Sequence, residues 1–268
     1  MENLVNTQDL VKDKFDWEVP VEAVPLPSAG TVYKPDSALH GKKLVEIRAM
    51  TAQEEDILSS PALIKQGTVI TSLLRSCIID KSINVDDMLI GDRNALMVAI
   101  RITGYGSQYS ASTNCPQCRA QSSQTFNLAE LEIKRLKINP VRKGENVFEF
   151  KLPVTGKMVH FRFLSGKDEV ERNVMLERMR KLTNGQGVER GVTSRLEYQI
   201  TAIEGVEDRN AITQFISKMP ARDSMELRNF ISDSEPGIDM SCSMNCPNCS
   251  YAGRVALPIG ANFFWPNG

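Results

Sequence analysis

The sequence has little histidine and no phosphate-binding loop, and both features argue against an enzyme. His40 and His160 are the only histidines among 268 residues, and His160 lies in an alternating segment that is typical of a strand. Glycine-rich loops of the G-x-x-x-x-G-K-[ST] form, or of the G-x-G-x-x-G form after a strand, are missing. Since no group is placed for acid–base or phosphate chemistry, the sequence predicts a protein that is not an enzyme.

Net charge and long apolar runs are lacking too. The 32 lysines and arginines nearly cancel the 33 aspartates and glutamates, so no net field attracts nucleic acid or an anionic membrane. No stretch approaches the roughly 20 apolar residues of a transmembrane helix, and the charged segment 1–16 has no apolar signal core. Six cysteines, four of them in metal-type pairs, fit a reducing cytoplasm. We therefore expect a globular cytoplasmic protein.

One phrase, Asn-Cys-Pro-x-Cys, occurs twice in the chain. Its cysteines are Cys115 and Cys118 in the first copy and Cys246 and Cys249 in the second, and a shift of 131 residues superimposes the copies. The same shift, without a gap, superimposes four residues upstream: Asp92 on Asp223, Leu96 on Leu227, Ile100 on Ile231 and Ser110 on Ser241. The sequence therefore predicts an internal duplication with two pseudo-equivalent halves, each supplying one cysteine pair.

Each cysteine pair offers half of a tetrahedral metal site. A Cys-x-x-Cys turn directs two thiolates at one point, and two such turns make the closed Cys₄ site that is typical of structural zinc. Zinc ribbons usually place about 15–20 residues between their pairs, so the wide spacing here is by itself a weak signal. Packing of two equivalent halves about a pseudo-twofold axis would bring the turns together. We predict one structural Zn²⁺ per chain, held by Cys115, Cys118, Cys246 and Cys249.

Other interpretations of the cysteines stay open at this point. The turns could persist without a metal, or each pair could be the redox dithiol of an oxidoreductase. A dithiol of the thioredoxin kind needs its motif at the start of a helix that follows a strand, whereas the polar alternating flanks of the first motif indicate a β-hairpin tip. A zinc-ribbon module that binds nucleic acid is a further alternative, and the balanced charge disfavours it.

The order of predicted elements indicates an α+β protein, in which each half runs from a strand through several helices to a cysteine hairpin. Thr51 with Glu54, and Ser165 with Asp168, predict helix starts with a capping box or its aspartate counterpart, and Asp92 predicts the N-cap of a later helix. Another helix is predicted over 193–204. The chain divides into five segments: a proline-rich extended arm (1–42), a first half-domain (43–128), a basic linker (129–146), a second half-domain (147–260) and an aromatic tail (261–268).

Aromatic residues near both chain ends are candidates for contact with partner proteins. Trp17 and Tyr33 lie in the arm, and Phe263, Phe264 and Trp265 lie together in the tail. An exposed cluster of this kind promotes aggregation. We expect the tail either to fill a groove of its own chain or to dock on a neighbour. The arm likewise lies across a partner or folds back on its own domain.

Four phrases, in this order, resemble the baseplate hub assembly proteins of T4-like contractile-tailed bacteriophages. They are Val-Pro-Leu-Pro-Ser at 24–28, Leu-Val-Glu-Ile-Arg-Ala-Met-Thr-Ala-Gln-Glu-Glu-Asp-Ile-Leu at 44–58, Ser-Ile-Asn-Val-Asp-Asp-Met-Leu at 82–89 and Ile-Thr-Gly-Tyr-Gly at 102–106. The resemblance is densest from Val24 to Cys118. In the second half it depends mainly on the cysteine motif and the Phe-Phe-Trp-Pro at 263–266.

The resemblance implies a non-enzymatic role in building the central hub of the tail baseplate in the cytoplasm of the infected host cell. The expected partners are other tail proteins, including hub and tape-measure proteins, and no small-molecule substrate, nucleic acid or membrane is expected. The chain either leaves after assembly or stays in the tail baseplate of the virion. The metal ligands that the resemblance implies are the same four cysteines.

Overall fold

The computed structural model describes residues 19–182, 190–257 and 263–264. Helices and small antiparallel sheets alternate along this part of the chain, which confirms the α+β prediction. None of its helices is long and apolar enough to cross a membrane.

The first cysteine hairpin ends a series of eight elements. They are β1 (Val21–Pro25), β2 (Leu44–Arg48), α1 (Ala52–Ser59), α2 (Pro61–Gln66), α3 (Val69–Cys77), α4 (Ile90–Tyr105), β3 (Gln108–Asn114) and β4 (Gln121–Asn127).

The chain then continues through eleven further elements to the second cysteine hairpin. They are β5 (Ile133–Lys134), β6 (Phe148–Lys151), β7 (Met158–Phe161), α5 (Gly166–Leu182), α6 (Gly191–Gln199), β8 (Ile200–Ile203), α7 (Arg209–Lys218), α8 (Ala221–Ser234), β9 (Gly237–Ile238), β10 (Ser241–Asn245) and β11 (Ala252–Ala256).

The segments predicted as arm and linker are packed where the structure describes them. β1 pairs with β2 in an antiparallel hairpin, and Val24, Leu26 and Leu39 are buried in the core. Pro25 ends β1, and a proline is tolerated there because β1 lies at the edge of a two-stranded sheet. In the linker, β5 pairs with β9. Both segments are therefore tied by backbone pairing to the chain that follows them.

Helix α1 begins with a buried charge network. Thr51 and Glu54 form the predicted capping box, in which the Thr51 backbone N–H donates to Glu54 Oε2 at 2.9 Å. The Arg48 guanidinium also binds Glu54 through two bonds of 2.7 and 2.9 Å. Burial would raise the pKa of Glu54, but its bonds to Arg48, Ser76 and Thr51 hold that pKa well below its usual range. The strand before the helix and the helix itself are thus fixed to each other.

Helix α5 begins with the same arrangement. Arg162 binds Asp168 through two bonds of 2.6 and 2.7 Å, and the Ser165 backbone N–H donates to Asp168 Oδ2 at 2.8 Å. Burial would raise the pKa of Asp168, but these donors lower it. In both pairs the arginine precedes its carboxylate by six residues. The two pairs are 114 residues apart in the chain.

The prediction that Asp92 is an N-cap is wrong. The N-cap of helix α4 is Leu89, three residues earlier, and the Ile90 N–H at the start of the helix donates to the Leu164 carbonyl at 3.0 Å. Asp92 lies fully buried in the first turn of the helix and accepts three bonds, from Ser28 N at 2.9 Å, Ser28 Oγ at 2.6 Å and Tyr33 Oη at 2.6 Å. Burial raises the pKa of Asp92 in spite of these donors.

Asp223, in the first turn of α8, has the corresponding role in the second half. It is fully buried and accepts backbone N–H bonds from Val154 at 2.7 Å and Thr155 at 3.0 Å. Ser28 and Val154 each follow a Leu-Pro pair in a Leu-Pro-x-x-Gly phrase, at 26–30 and 152–156. In both cases a turn that follows a strand is held by a buried aspartate of a helix that leads to a cysteine hairpin.

The helix predicted over 193–204 is wrong beyond Gln199. The chain enters β8 there and pairs with β7, so that Val159 faces Ile203 and His160 faces Ala202. Its residues Ile200, Thr201 and Ile203 are β-branched and favour a pleated, half-buried strand. Pairing with a neighbouring strand therefore outweighs the helical periodicity of the preceding residues.

Candidate metal centre

The first cysteine pair lies at the tip of the β3–β4 hairpin. Cys115 N donates to Ala120 O at 2.9 Å, and Arg119 N donates back to Cys115 O at 2.9 Å. Arg119 has a φ of 60°, in the left-handed region. These contacts close a tight turn that holds both thiols on one side. A thioredoxin-type dithiol lies at the start of a helix, whereas this pair lies at the tip of a β-hairpin.

The second pair lies at the tip of the β10–β11 hairpin in the same geometry. Cys246 N donates to Tyr251 O at 2.8 Å, and Ser250 N donates to Cys246 O at 3.2 Å. The 131-residue shift aligns Ser250 with Arg119, and Ser250 has a φ of 58°. The two turns therefore share their hydrogen bonds and their backbone conformation as well as their sequence motif.

A local twofold relation links the two tips. Cys115 Sγ lies 3.6 Å from Cys249 Sγ, and Cys118 Sγ lies 3.7 Å from Cys246 Sγ. Exchanging the two copies of the motif turns the first contact into the second, and the two distances agree within 0.1 Å. The structure thus brings together the four cysteines that the sequence predicts as ligands.

Thr113 and Met244, which the 131-residue shift also aligns, contact each other between the hairpins. Thr113 Oγ1 donates to Met244 Sδ at 3.6 Å, and the two positions differ by 131 residues. Sequence reasoning missed this contact, although the shift that aligns the cysteines also aligns these two residues. Met244 is buried and packs with Cys115 and Cys246 beneath the tips.

The spacing of the four sulfurs is compatible with a metal site. All four Sγ atoms lie within 4.8 Å of one another. A zinc ion about 2.3 Å from each sulfur would place the sulfurs about 3.8 Å apart, close to the observed 3.6 and 3.7 Å. Sulfurs joined in a disulfide are about 2.05 Å apart, and all four cysteines are free. The donor set and its spacing therefore fit Zn²⁺.

The surroundings of the sulfurs favour negative charge on one of them, Cys115. Backbone N–H groups of Cys118 and Gln117 lower the pKa of Cys115 to about 7 against the effect of burial. The Tyr251 backbone N–H lowers the pKa of Cys249, but burial and the other three cysteines raise it to about 12. Four thiolates at this distance repel one another, and a bound divalent cation offsets that repulsion.

The predicted partner-binding aromatics lie inside the fold where the structure describes them. Tyr33 is buried and bonded to Asp92. Phe263 and Phe264 are buried too, and the Phe263 ring packs edge-on against Tyr109 with centroids 5.2 Å apart. The buried Arg101 holds this segment through a 2.7 Å bond from its Nε to Phe263 O. Trp17 and Trp265 lie outside the described residues.

A family model described as T4 bacteriophage base plate protein matches residues 32–265. That range covers most of the chain and includes both cysteine pairs. No curated protein and no solved structure matches the chain.

Proposed function

Because the chain belongs to the T4 bacteriophage base plate protein family, we propose that it is a non-enzymatic assembly factor or minor component of the baseplate hub. It binds other tail proteins in the cytoplasm of the infected cell, and it either leaves after assembly or stays in the tail baseplate. The observation that carries this proposal is the family match over residues 32–265. The four sequence phrases that resemble the baseplate hub assembly proteins, and their order along the chain, support a role in the hub.

We infer that the chain arose by internal duplication of a unit of four parts. Each unit has a Leu-Pro-x-x-Gly turn, an arginine bound to the carboxylate at a helix start, a buried aspartate that holds the turn, and a cysteine hairpin. The contacts of Asp92 and Asp223, and the twofold relation of the sulfurs, support this inference. The two half-domains are predicted at 43–128 and 147–260, and the turn at 26–30 extends the first one toward the N-terminus.

The metal has a structural role in this proposal. Cys115, Cys118, Cys246 and Cys249 would hold one Zn²⁺, which neutralises thiolate charge and ties the hairpin tips. The β3–β4 hairpin follows α4 directly and the β10–β11 hairpin follows α8 closely. A bond between the tips therefore limits the relative movement of the two helices that carry the buried aspartates. Partner proteins then meet a preorganised surface, and preorganisation lowers the ordering cost of binding.

Capture of tail proteins tests this function. We expect the tagged full chain, co-expressed with hub and tape-measure proteins of the same phage, to retain at least one of them through affinity purification. A Cys118→Ser variant should retain about tenfold less, because the tips are no longer tied. Cys242 lies outside the cluster and is half-buried, so Cys242→Ala is the matched control and should retain as much as the wild type. Failure of the wild type to capture any of these proteins would sink the proposal.

A further inference from the structure

A groove between α5, α6 and α8 combines several cationic side chains. It encloses a cavity of about 420 Å³. Arg172 of α5, Arg195 of α6 and Arg228 of α8 line it, and Gln199 and Gly191 lie along the same wall. No residue of the cysteine cluster belongs to it, so it is separate from the candidate metal centre.

The arginines of the groove are poorly matched by carboxylates. Arg172 and Arg228 form no salt bridge with any residue in the described ranges. Arg195 pairs with Glu235 at 3.4 Å, and nearly half of the Arg195 side chain is exposed. Arg228 Nε donates to the Ser224 carbonyl at 3.1 Å within its own helix. Guanidinium groups bind carboxylates through two parallel bonds, and this groove offers such groups with few carboxylates to bind.

Two buried donors at the groove also lack acceptors. Gln199 is 1% exposed, and its Nε2 has no hydrogen-bond partner within the described chain. The same holds for Arg172 Nε, which is likewise inaccessible to solvent. Buried polar groups in folded proteins are nearly always bonded. Two unpaired donors at one cavity therefore point to a ligand that supplies acceptors.

Helix α6 adds its positive end to the groove. Gly191 and Val192, at the start of the helix, line the cavity. Arg190, the N-cap residue, makes no side-chain bond to the first turn. Helix N-termini attract anions because their N–H groups are unpaired and the helix dipole is positive there.

The helix face that lines the groove favours an extended ligand. Gly191, Arg195 and Gln199 are spaced four residues apart and so lie on one face of α6. At about 1.5 Å per residue they span about 12 Å along the helix axis. A single phosphate ion would engage only part of that length, whereas a short peptide strand with several carboxylates would extend along this face of α6 past Arg195, in a cavity that Arg172 and Arg228 also line.

We propose that this groove binds an acidic peptide segment of another protein. The carboxylates pair with Arg172, Arg195 and Arg228, displacing Glu235 from Arg195, and a peptide or carboxylate oxygen accepts from Gln199. The proposal goes beyond the function proposed above, because it assigns a second surface and a ligand chemistry that need neither the metal nor the hub. Loss of the metal site would leave it intact.

Binding of a fluorescein-labelled hexaglutamate peptide to the full chain tests the proposal by fluorescence anisotropy. We expect Arg172→Gln and Arg228→Gln each to weaken binding about tenfold. Arg178 of α5 and Arg222 of α8 are exposed and lie outside the groove, so Arg178→Gln and Arg222→Gln are matched controls that should stay within about twofold. Gln199→Met should weaken binding without lowering the unfolding midpoint, since it removes a donor that has no partner in the free protein.

Three results would overturn the proposal. The first is absence of hexaglutamate binding at low ionic strength. The second is equal weakening in the control variants, which would indicate attraction to the whole surface. The third is binding of inorganic phosphate that depends on Arg172 and Arg228 in a chain that does not bind the peptide, which would assign the groove to a small anion. All three results are measured by ligand binding to the purified chain, so they do not depend on whether the chain captures tail proteins.

Discussion

Adding a chelator is expected to lower the midpoint of thermal unfolding by about 8–16 °C, because it would remove the Zn²⁺ that we propose for the cysteine cluster. A ligand present at about 1,000 times its dissociation constant stabilises the folded state by about 4 kcal/mol. In a chain of this size 1 kcal/mol shifts the midpoint by about 2–4 °C. Structural zinc binds with about 10–16 kcal/mol, which is strong enough for saturation. Calorimetry with and without EDTA measures the shift.

Variants separate the metal effect from a general effect of the chelator. Cys118 is exposed, so Cys118→Ser removes a ligand without opening a cavity in the core. It should show the lowered midpoint even without EDTA. Cys242→Ala should melt like the wild type and should respond to EDTA in the same way. If EDTA does not change the wild-type midpoint, or if Cys242→Ala lowers the midpoint as much as Cys118→Ser does, a bound metal does not stabilise the fold.

Replacing Asp92 with alanine is expected to lower the free energy of unfolding by about 3–5 kcal/mol. The change leaves Ser28 N, Ser28 Oγ and Tyr33 Oη without their buried acceptor. Each buried donor left unpaired costs about 1–3 kcal/mol, and rotation of the two hydroxyls toward other acceptors keeps the total below the sum. Urea unfolding followed by circular dichroism measures the loss.

The equivalent aspartate should give a smaller loss. Asp223 accepts only two backbone bonds, and the Val154 side chain beside it is 53% exposed. Water can reach this turn, so Asp223→Ala is expected to cost about 2–3 kcal/mol. Asp233 is exposed near the end of α8, and Asp233→Ala, the control, should change stability by less than about 0.5 kcal/mol. A loss in Asp92→Ala no larger than in the control would refute the role of the buried carboxylate.

The cysteine contact could be predicted from the sequence because one ungapped shift aligns the two motifs and their upstream helices. The turns that hold these helices could not be predicted in that way. The Leu-Pro-x-x-Gly phrases at 26–30 and 152–156 are related by a shift of 126 residues, and the arginine–carboxylate pairs by 114, instead of 131. The 131-residue shift that aligns the cysteine motifs therefore does not align these turns or these arginine–carboxylate pairs.

Helix starts that depend on neighbouring sequence were predicted well, and those that depend on distant partners were not. Thr51 and Glu54 cap α1 as expected, because both halves of a capping box lie within four residues. Asp92 was misplaced because its acceptor role depends on Ser28, 64 residues earlier in the chain. Similarly, the groove assembles Arg172 and Arg228 from separate helices, and neither position has a sequence motif.

We propose that two cysteine pairs, far apart in the chain, hold one metal ion between them. Native mass spectrometry of the purified full chain, with zinc counted per polypeptide, tests this most directly. We predict one Zn²⁺ per chain in the wild type and none in either Cys115→Ser or Cys246→Ser, because each variant breaks a different hairpin of the same site. A wild-type chain whose four cluster thiols are free of metal, or zinc that survives in one of the two variants, would contradict this proposal.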